Sequence, residues 1–464
     1  MWHWTSLEIV ALVERELLLF SAVFFLAGAL DELAIDLAWL WLRLTGRTET
    51  RRVERADLRD RDLGGPAAVL IPAWREDRVI ALTVAHALAS WAAADLRLYV
   101  GCYRNDPATQ AAVRTGAGGD PRVRLVVVGR DGPTTKADCL NSLYAAMSED
   151  ERRTGREFRL VVLHDAEDLV DPAALGLLDR ALDEADFVQL PVLPEPQRSS
   201  RLVGSHYCEE FAEAHGKLMV VRGALAAGLP AAGVGCAFAR RILRDIARQA
   251  GGSTPFSADS LTEDYELGLR IKALGGRSVF LRVRGEDGQL VATRACFPAR
   301  LGAAVRQKSR WIHGIALQGW DRLGWSGGLG ERWMRLRDRR GPMSALVLST
   351  GYLVLAGGLV FLTAGALGLV GPWHADPWLT GLLAANFAAF VWRAVVRYAF
   401  TVREYGRAEG LRAVARIPVA NAIAICAGAR ALAAYVRTLR GETPRWDKTF
   451  HHAHPAEGRQ GHGT

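Results

Sequence analysis

No two cysteines in this chain stand at C-x-x-C spacing. The six present, Cys102, Cys139, Cys208, Cys236, Cys296 and Cys426, are scattered over 464 residues. That argues against a disulfide-stapled secreted module and against a zinc ribbon, and leaves reduced thiols acting as small buried hydrophobes. Zinc-finger spacing, an aromatic RNA-binding signature and a lysine-rich tail are all missing, so nucleic acid is a poor partner despite a net charge of +8. The N-terminus lacks the basic start, short apolar core and small-residue cleavage site of a signal peptide. There is no internal repeat and no long low-complexity tract.

What is present is uneven. Half the residues are hydrophobic, yet the mean hydropathy is only +0.06. A polar domain joined to apolar segments gives that average. The stretch 16–44 exceeds the roughly 20 residues of a membrane-spanning helix, although Asp31, Glu32 and Asp36 interrupt it. Acids there must face a partner or the interface. Arginines at 43, 47, 51, 52, 55 and 59 follow at once, which predicts a cytosolic flank and an N-terminal segment, 1–15, pointing outward. Two further spans are predicted at 343–370 and 377–400. The arginine-rich stretch 411–440 offers only a short uncharged run, so an interfacial helix is favoured there, with a fourth span as the alternative. The tail, 441–464, carries His451, His452 and His454, which read as solvated rather than as metal ligands.

Between the spans, short apolar runs at 67–71, 97–101, 124–128, 159–163 and 187–190 alternate with helix-like sequence. Continuous apolar strands alternating with helices predict a mostly parallel α/β sheet covered on both faces, over about 60–300. Ligands bind beyond the carboxyl ends of such strands, and chemistry-bearing residues cluster there. Pro72, Trp74 and Glu76 close the first strand. Asp106 follows the second, where a turn-forming Asn-Asp-Pro is an equal reading. Asp165, Glu167 and Asp168 follow Leu163, and acids so close call for a cation such as Mg²⁺ or Mn²⁺, with a helix N-terminus before Pro172 that favours acids as the alternative. Strand-like alternation aims Asp165 and Glu167 the same way. Thr262-Glu263-Asp264 offers a general base, or a capped helix start with Thr262 as the cap. In 301–340, Gln307, Arg310 and Trp311 share one helix face. An arginine grips phosphate and an indole stacks on a sugar.

Together these motifs resemble the membrane-embedded family 2 glycosyltransferases of GT-A fold, the group of cellulose and hyaluronan synthases. The motifs that carry the resemblance are Ile71 to Glu76, Asp106, Lys136-Ala137-Asp138-Cys139-Leu140-Asn141, Asp165-Ala166-Glu167, Thr262-Glu263-Asp264 and Gln307 to Trp311. Pro72-Ala73-Trp74, Asn105 to Thr109, His164 to Asp168 and Pro444 to Thr449 look like the phage adsorption protein B branch. The resemblance implies that Pro72, Trp74, Glu76, Asp106, Lys136 and Asp165 bind the donor, a UDP-sugar. Asp165 and Glu167 would hold Mg²⁺ or Mn²⁺, with Asp168 as the substitute ligand. It makes Asp264 the base of an inverting displacement, with Glu263, Gln307, Arg310 and Trp311 at the acceptor and diphosphate end. The implied setting is a bacterial inner membrane with a cytosolic catalytic domain. Membrane lipids, a glycan or lipid-linked acceptor and an envelope export partner belong to it. Single transfer to a lipid carrier and a catalytically spent scaffold are the alternatives. Longer members carry a further domain after the tail motif, and regulation through it is expected to be absent here or supplied by another protein.

Overall fold

The computed structural model describes residues 6–48, 50–252, 254–368, 376–442 and 454–456. Seven strands make the main sheet: β1 (Ala67–Pro72), β2 (Leu96–Tyr103), β3 (Val123–Val128), β4 (Leu160–Leu163), β5 (Phe187–Gln189), β6 (Cys236–Ala239) and β7 (Ser278–Phe280). Their order is β3-β2-β1-β4-β6-β5-β7. Only β6 runs against its neighbours. The apolar runs are continuous because both faces are covered. In β1, Ala67, Val69 and Ile71 enter one core, and Ala68 and Leu70 enter the other. β4 divides the same way, Leu160 and Val162 from Val161 and Leu163.

A 39-residue helix, α1 (Ser6–Leu44), precedes the sheet. Then come α2 (Ile80–Ser90), α3 (Pro107–Ala117), α4 (Lys136–Thr154) and α5 (His206–Glu213), the last running into a π-helical stretch, Ala214–Leu218. They are followed by α6 (Glu263–Ala273), α7 (Leu301–Trp311), α8 (Leu329–Arg339), α9 (Gly341–Ala366), α10 (Pro377–Tyr405), α11 (Arg407–Ala415) and α12 (Ile417–Leu439).

Three helices among the described residues are long and apolar enough to cross a membrane: α9, α10 and α12. α1 lies along the first two, with its Phe25 ring against Gly351 and its Ala22 carbonyl accepting from Asn386 Nδ2 at 3.0 Å. At about 1.5 Å per residue, α1 is far longer than a bilayer core of roughly 30 Å. The acids inside it mark where it meets the sheet domain. Asp31 and Glu32 pair with Arg337 and Arg340, and Asp36 pairs with the buried Lys217. Trp392 Nε1 donates to Asp36 at 2.8 Å.

α12 differs from the other two long apolar helices. At its start, the fully buried Arg416 bonds Glu209 at 2.7 Å and Glu409 at 2.6 Å. Near its end, the Tyr435 hydroxyl donates to Asp321 at 2.8 Å. Both ends are thus fastened to the domain side, and the helix lies over α7 and the base of α9.

The tail also departs from expectation. His451 and His452 lie outside the described residues. His454, expected in solvent, is 1% exposed, with Nε2 3.2 Å from Thr83 Oγ1 on α2. Of the cysteines, 102, 139, 208 and 236 are buried as expected, but Cys426 on α12 is exposed.

Candidate active site

The carboxyl ends of β1 and β4, the start of α4, the start of α6 and the end of α7 meet around a cavity of about 440 Å³. Every predicted site residue except Asp106 lines it.

At the β1 end, Trp74 packs edge-on against Tyr103, centroids 5.0 Å apart, and a Cβ at Gly132 would run into its indole. The next residue, Arg75, has φ of 54°, a left-handed backbone that costs energy outside glycine. Asp106 holds that turn: its Oδ2 accepts the Arg75 amide at 2.6 Å, and its Oδ1 accepts the Thr109 amide at 3.4 Å as the N-cap of α3. Asp106 thus braces the strand-end turn, each of its oxygens accepting one backbone amide.

After β4 the chain leaves extended geometry at once, so Asp165 and Glu167 do not meet by strand alternation. Residues 165–168 form a turn instead. Asp168 closes it from inside, accepting from the Asp165 amide at 2.9 Å and pairing with His164 Nδ1 at 2.8 Å. Burial raises the Asp168 carboxyl, with His164 opposing. The turn is backed by Thr83, whose hydroxyl donates to the Ala166 carbonyl at 2.6 Å.

Lys136 opens α4 behind a full capping box formed by Thr135 and Asp138. Its Nζ lies 2.6 Å from Asp165 Oδ1. Burial disfavours the ammonium, but Asp165, Glu263 and Asp264 outweigh it and raise the lysine above its ordinary value. Among the described residues no group of three or more His, Cys, Asp or Glu is arranged to hold a metal ion. Two carboxylates at a cavity wall, Asp165 and Glu167, still suit an ion such as Mg²⁺, which takes one or two carboxylates and completes its shell with phosphate and water.

On α6, Thr262 occupies the N-cap position but makes no capping hydrogen bond. Its side chain lies instead against Gly314, just past α7, which ties the two motif segments together. Burial and the neighbouring Asp264 raise the Glu263 carboxyl. Burial also raises Asp264, with Lys136 and Arg310 opposing. Gly233, at φ +75°, packs so close to Asp264 that any Cβ would collide with the carboxylate. The helix is held from below by the Tyr265 hydroxyl, which donates to Asp338 at 2.9 Å. Asp338 in turn receives Arg222 at 2.8 and 2.9 Å.

On α7, Gln307 and Arg310 line the cavity, and among the described residues Gln307 Oε1, Arg310 Nε and Glu263 Oε1 have no hydrogen-bond partner. Buried polar atoms left unbonded are costly and mark where a polar ligand fits. Trp311 belongs to an aromatic wall the motifs did not announce: Tyr207, Phe211 and Phe297 lie 6.1, 6.4 and 6.4 Å from its ring. His215 in the same wall accepts the Val192 amide at 2.9 Å, and burial pulls its pKa down to about 4, so it is neutral. Tyr207 and Phe211 come from α5 and His215 from the π-helical stretch, where a spacing of four residues reads as ordinary core, and Phe297 comes from the segment before α7.

Residues 65–314 match the family described as "Glycosyltransferase like family 2". The chain is 35% identical over 460 residues to "Bacteriophage adsorption protein B" of Escherichia coli strain K12. It matches "Bacteriophage N4 adsorption protein B" of E. coli O157:H7 to the same extent. In each case the alignment takes in 93% of this chain and 61% of the relative, so the chain spans under two thirds of their length. Among solved structures, the mannosyltransferase PcManGT of Pyrobaculum calidifontis, in complex with GDP-Man and Mn²⁺, superposes with a TM-score of 0.54. It shares 17% identity and covers 89% of this chain and 99% of its own. The sheet is a GT-A fold, and the chain belongs to glycosyltransferase family 2, related to the adsorption protein B group.

Proposed function

We propose that this chain is an inverting, metal-assisted glycosyltransferase. It would move a sugar from a nucleoside diphosphate sugar, such as a UDP-sugar, to a growing surface or secreted glycan at the inner membrane. The observation that carries this reading is convergence. Lys136 and Asp165, Glu263 and Asp264, and Gln307 and Arg310 come from three distant parts of the sequence to one cavity. Unbonded buried polar atoms of Glu263, Gln307 and Arg310 remain there. The similar fold solved with GDP-Man and Mn²⁺ supports a nucleotide-sugar donor and a divalent ion.

The chemistry divides among the residues. Pro72, Trp74 and Tyr103 form the apolar end that receives a nucleobase. Asp165 and Glu167 would hold Mg²⁺ or Mn²⁺, which when bound supplies positive charge to the leaving diphosphate. Asp264 takes the proton of the acceptor hydroxyl as its oxygen attacks the anomeric carbon. The bond from that carbon to the diphosphate oxygen breaks, the configuration inverts, and the nucleoside diphosphate leaves. Arg310 adds a fixed cation near the same end. Trp311 and the aromatic wall give the acceptor an apolar surface.

The arginines after α1 favour a cytosolic catalytic domain, with α1, α9 and α10 crossing the membrane. α12, fastened to the domain side at both ends, would lie along the inner surface. A second reading, single transfer to a lipid carrier, draws on the same packing, since α7 lies directly under α12.

The test is donor turnover. Full-length protein in detergent is offered a panel of nucleotide sugars with Mg²⁺ or Mn²⁺, and nucleoside diphosphate release is followed for wild type and Asp264→Asn. Metal-dependent release with one donor, lost in the variant, supports the enzyme. Absence of release with every donor, with membrane extract as acceptor, returns the scaffold reading.

A further inference from the structure

Behind the turn that carries Asp165 and Glu167, one face of α2 holds the chain. Thr83 Oγ1 donates to the Ala166 carbonyl at 2.6 Å, and His86 Nε2 lies 2.9 Å from the Val170 carbonyl. Positions three apart on a helix share a face. Ala166 stands between the two acids and lines the cavity with them, so Thr83 grips the turn at its middle.

The buried Thr83 hydroxyl has a further partner, from the far end of the chain. His454 Nε2 lies 3.2 Å from Thr83 Oγ1. The Ala456 amide donates to His454 Nδ1 at 3.2 Å, so Nδ1 accepts and the ring proton sits on Nε2. Burial favours the same neutral ring. The order of donors follows: the His454 ring donates to the Thr83 hydroxyl, and the hydroxyl donates to the Ala166 carbonyl. The Asp168 backbone hydrogen-bonds the same ring. Pro455 is buried beside it. A hydrogen bond received polarises the hydroxyl for the one it gives. Divalent ions such as Mg²⁺ demand near-ideal ligand geometry, and groups that orient metal-binding side chains are commonly worth tenfold or more in metal affinity.

We propose that His454 is a positioning residue: through Thr83 it fixes the turn that presents Asp165 and Glu167 to the cavity, and so to a divalent cation. The part played by the cation rests on the proposed function, whereas the hold of His454 on the turn does not.

Full-length protein in detergent is compared as wild type, His454→Ala, His454→Gln, Thr83→Val and the double variant Thr83→Val with His454→Ala. Two readouts need no turnover. Hydrogen exchange is followed by mass spectrometry over residues 164–170, with α6 and α7 as internal controls. Mn²⁺ binding, alone and with UDP or GDP added, is titrated by the loss of the free-ion EPR signal. His454→Ala is expected to speed exchange at 164–170 but not in α6 or α7, and to weaken Mn²⁺ binding roughly tenfold. His454→Gln, whose amide can donate to Thr83, should restore most of both. The double variant should be no worse than Thr83→Val alone, because both changes cut one chain of bonds. Unchanged exchange at 164–170 in His454→Ala, exchange that is faster everywhere, or additive effects in the double variant would each overturn the proposal. So would equal Mn²⁺ binding by wild type and His454→Ala. If wild type binds no Mn²⁺ while faster exchange stays confined to the turn, the hold on the turn is supported and the metal-assisted function is what fails.

Discussion

Lys136 Nζ lies 2.6 Å from Asp165 Oδ1, so the acid expected to meet a divalent ion already faces one cation. The same ammonium offsets Glu263 and Asp264. It is the positive centre of a cluster of three carboxylates, and Lys136→Met would leave them to repel each other in a buried space. The expected result is loss of donor turnover on the order of a hundredfold or more, read as nucleoside diphosphate release. Retention of near wild-type turnover would remove Lys136 from the donor site.

The carboxyls of Glu263 and Asp264 are raised chiefly by burial. A base must be ionised to act, so kcat/KM should rise with pH through a limb above the ordinary carboxylate value of about 4. The stability effect runs in the opposite sense. In the folded state these groups hold protons that the unfolded chain has already released, so their stabilising contribution is complete below about pH 4 and is lost as pH rises through the raised folded value. Asp264→Asn should therefore abolish turnover yet leave the protein as stable as wild type or more so at pH 8. Thermal unfolding beside the turnover assay checks both halves.

Asp106 gives a sharper contrast between roles. As a nucleoside ligand its removal would strike affinity alone. As the N-cap of α3 and the brace of Arg75 it should also cost stability, about 1 kcal/mol for Asp106→Ala. The measurement is Tm together with the KM for donor. A raised KM with unchanged Tm would assign Asp106 to the donor rather than to the turn.

His454 is buried against Thr83 of the sheet domain. If α9 and α10 cross and α12 does not, a reporter fused at the C-terminus should give the same sidedness as one inserted in the sheet domain, and one placed between α9 and α10 the opposite. Opposite sidedness of C-terminus and domain would make α12 a true span and contradict its contacts at Arg416 and Tyr435.

Much of the site could be read from the sequence because its chemistry sits where strands end. Five apolar runs announce β1 to β5; all but the half-exposed edge strand β3 are buried on both faces. β6 was not announced: Cys-Ala-Phe-Ala has no β-branched residue and only four positions, and its place comes from pairing with β4 and β5. Acids in α1 were legible as a problem, but not their solution, which lies some 300 residues away in Arg337 and Arg340. The same distance hides His454, whose partner Thr83 is 371 positions upstream. Asp106 stayed ambiguous because a turn-capping acid and a ligand acid share one sequence pattern.

Arg416 and Glu209 face each other with both side chains wholly buried, and Lys217 and Arg282 likewise find their carboxylates on α1 and α10. Salt screens exposed pairs and leaves such pairs almost untouched. High-salt washing should therefore fail to part the helices from the sheet domain. A fragment cut at the apparent boundaries, 60–340, would strand Glu209 and Arg282 without their counterions and leave Lys217 with Glu213 alone, at about 3–5 kcal/mol for each buried pair broken. What looks in the sequence like a soluble enzyme with anchors is, energetically, a single folding unit whose hydrophilic half cannot be harvested alone.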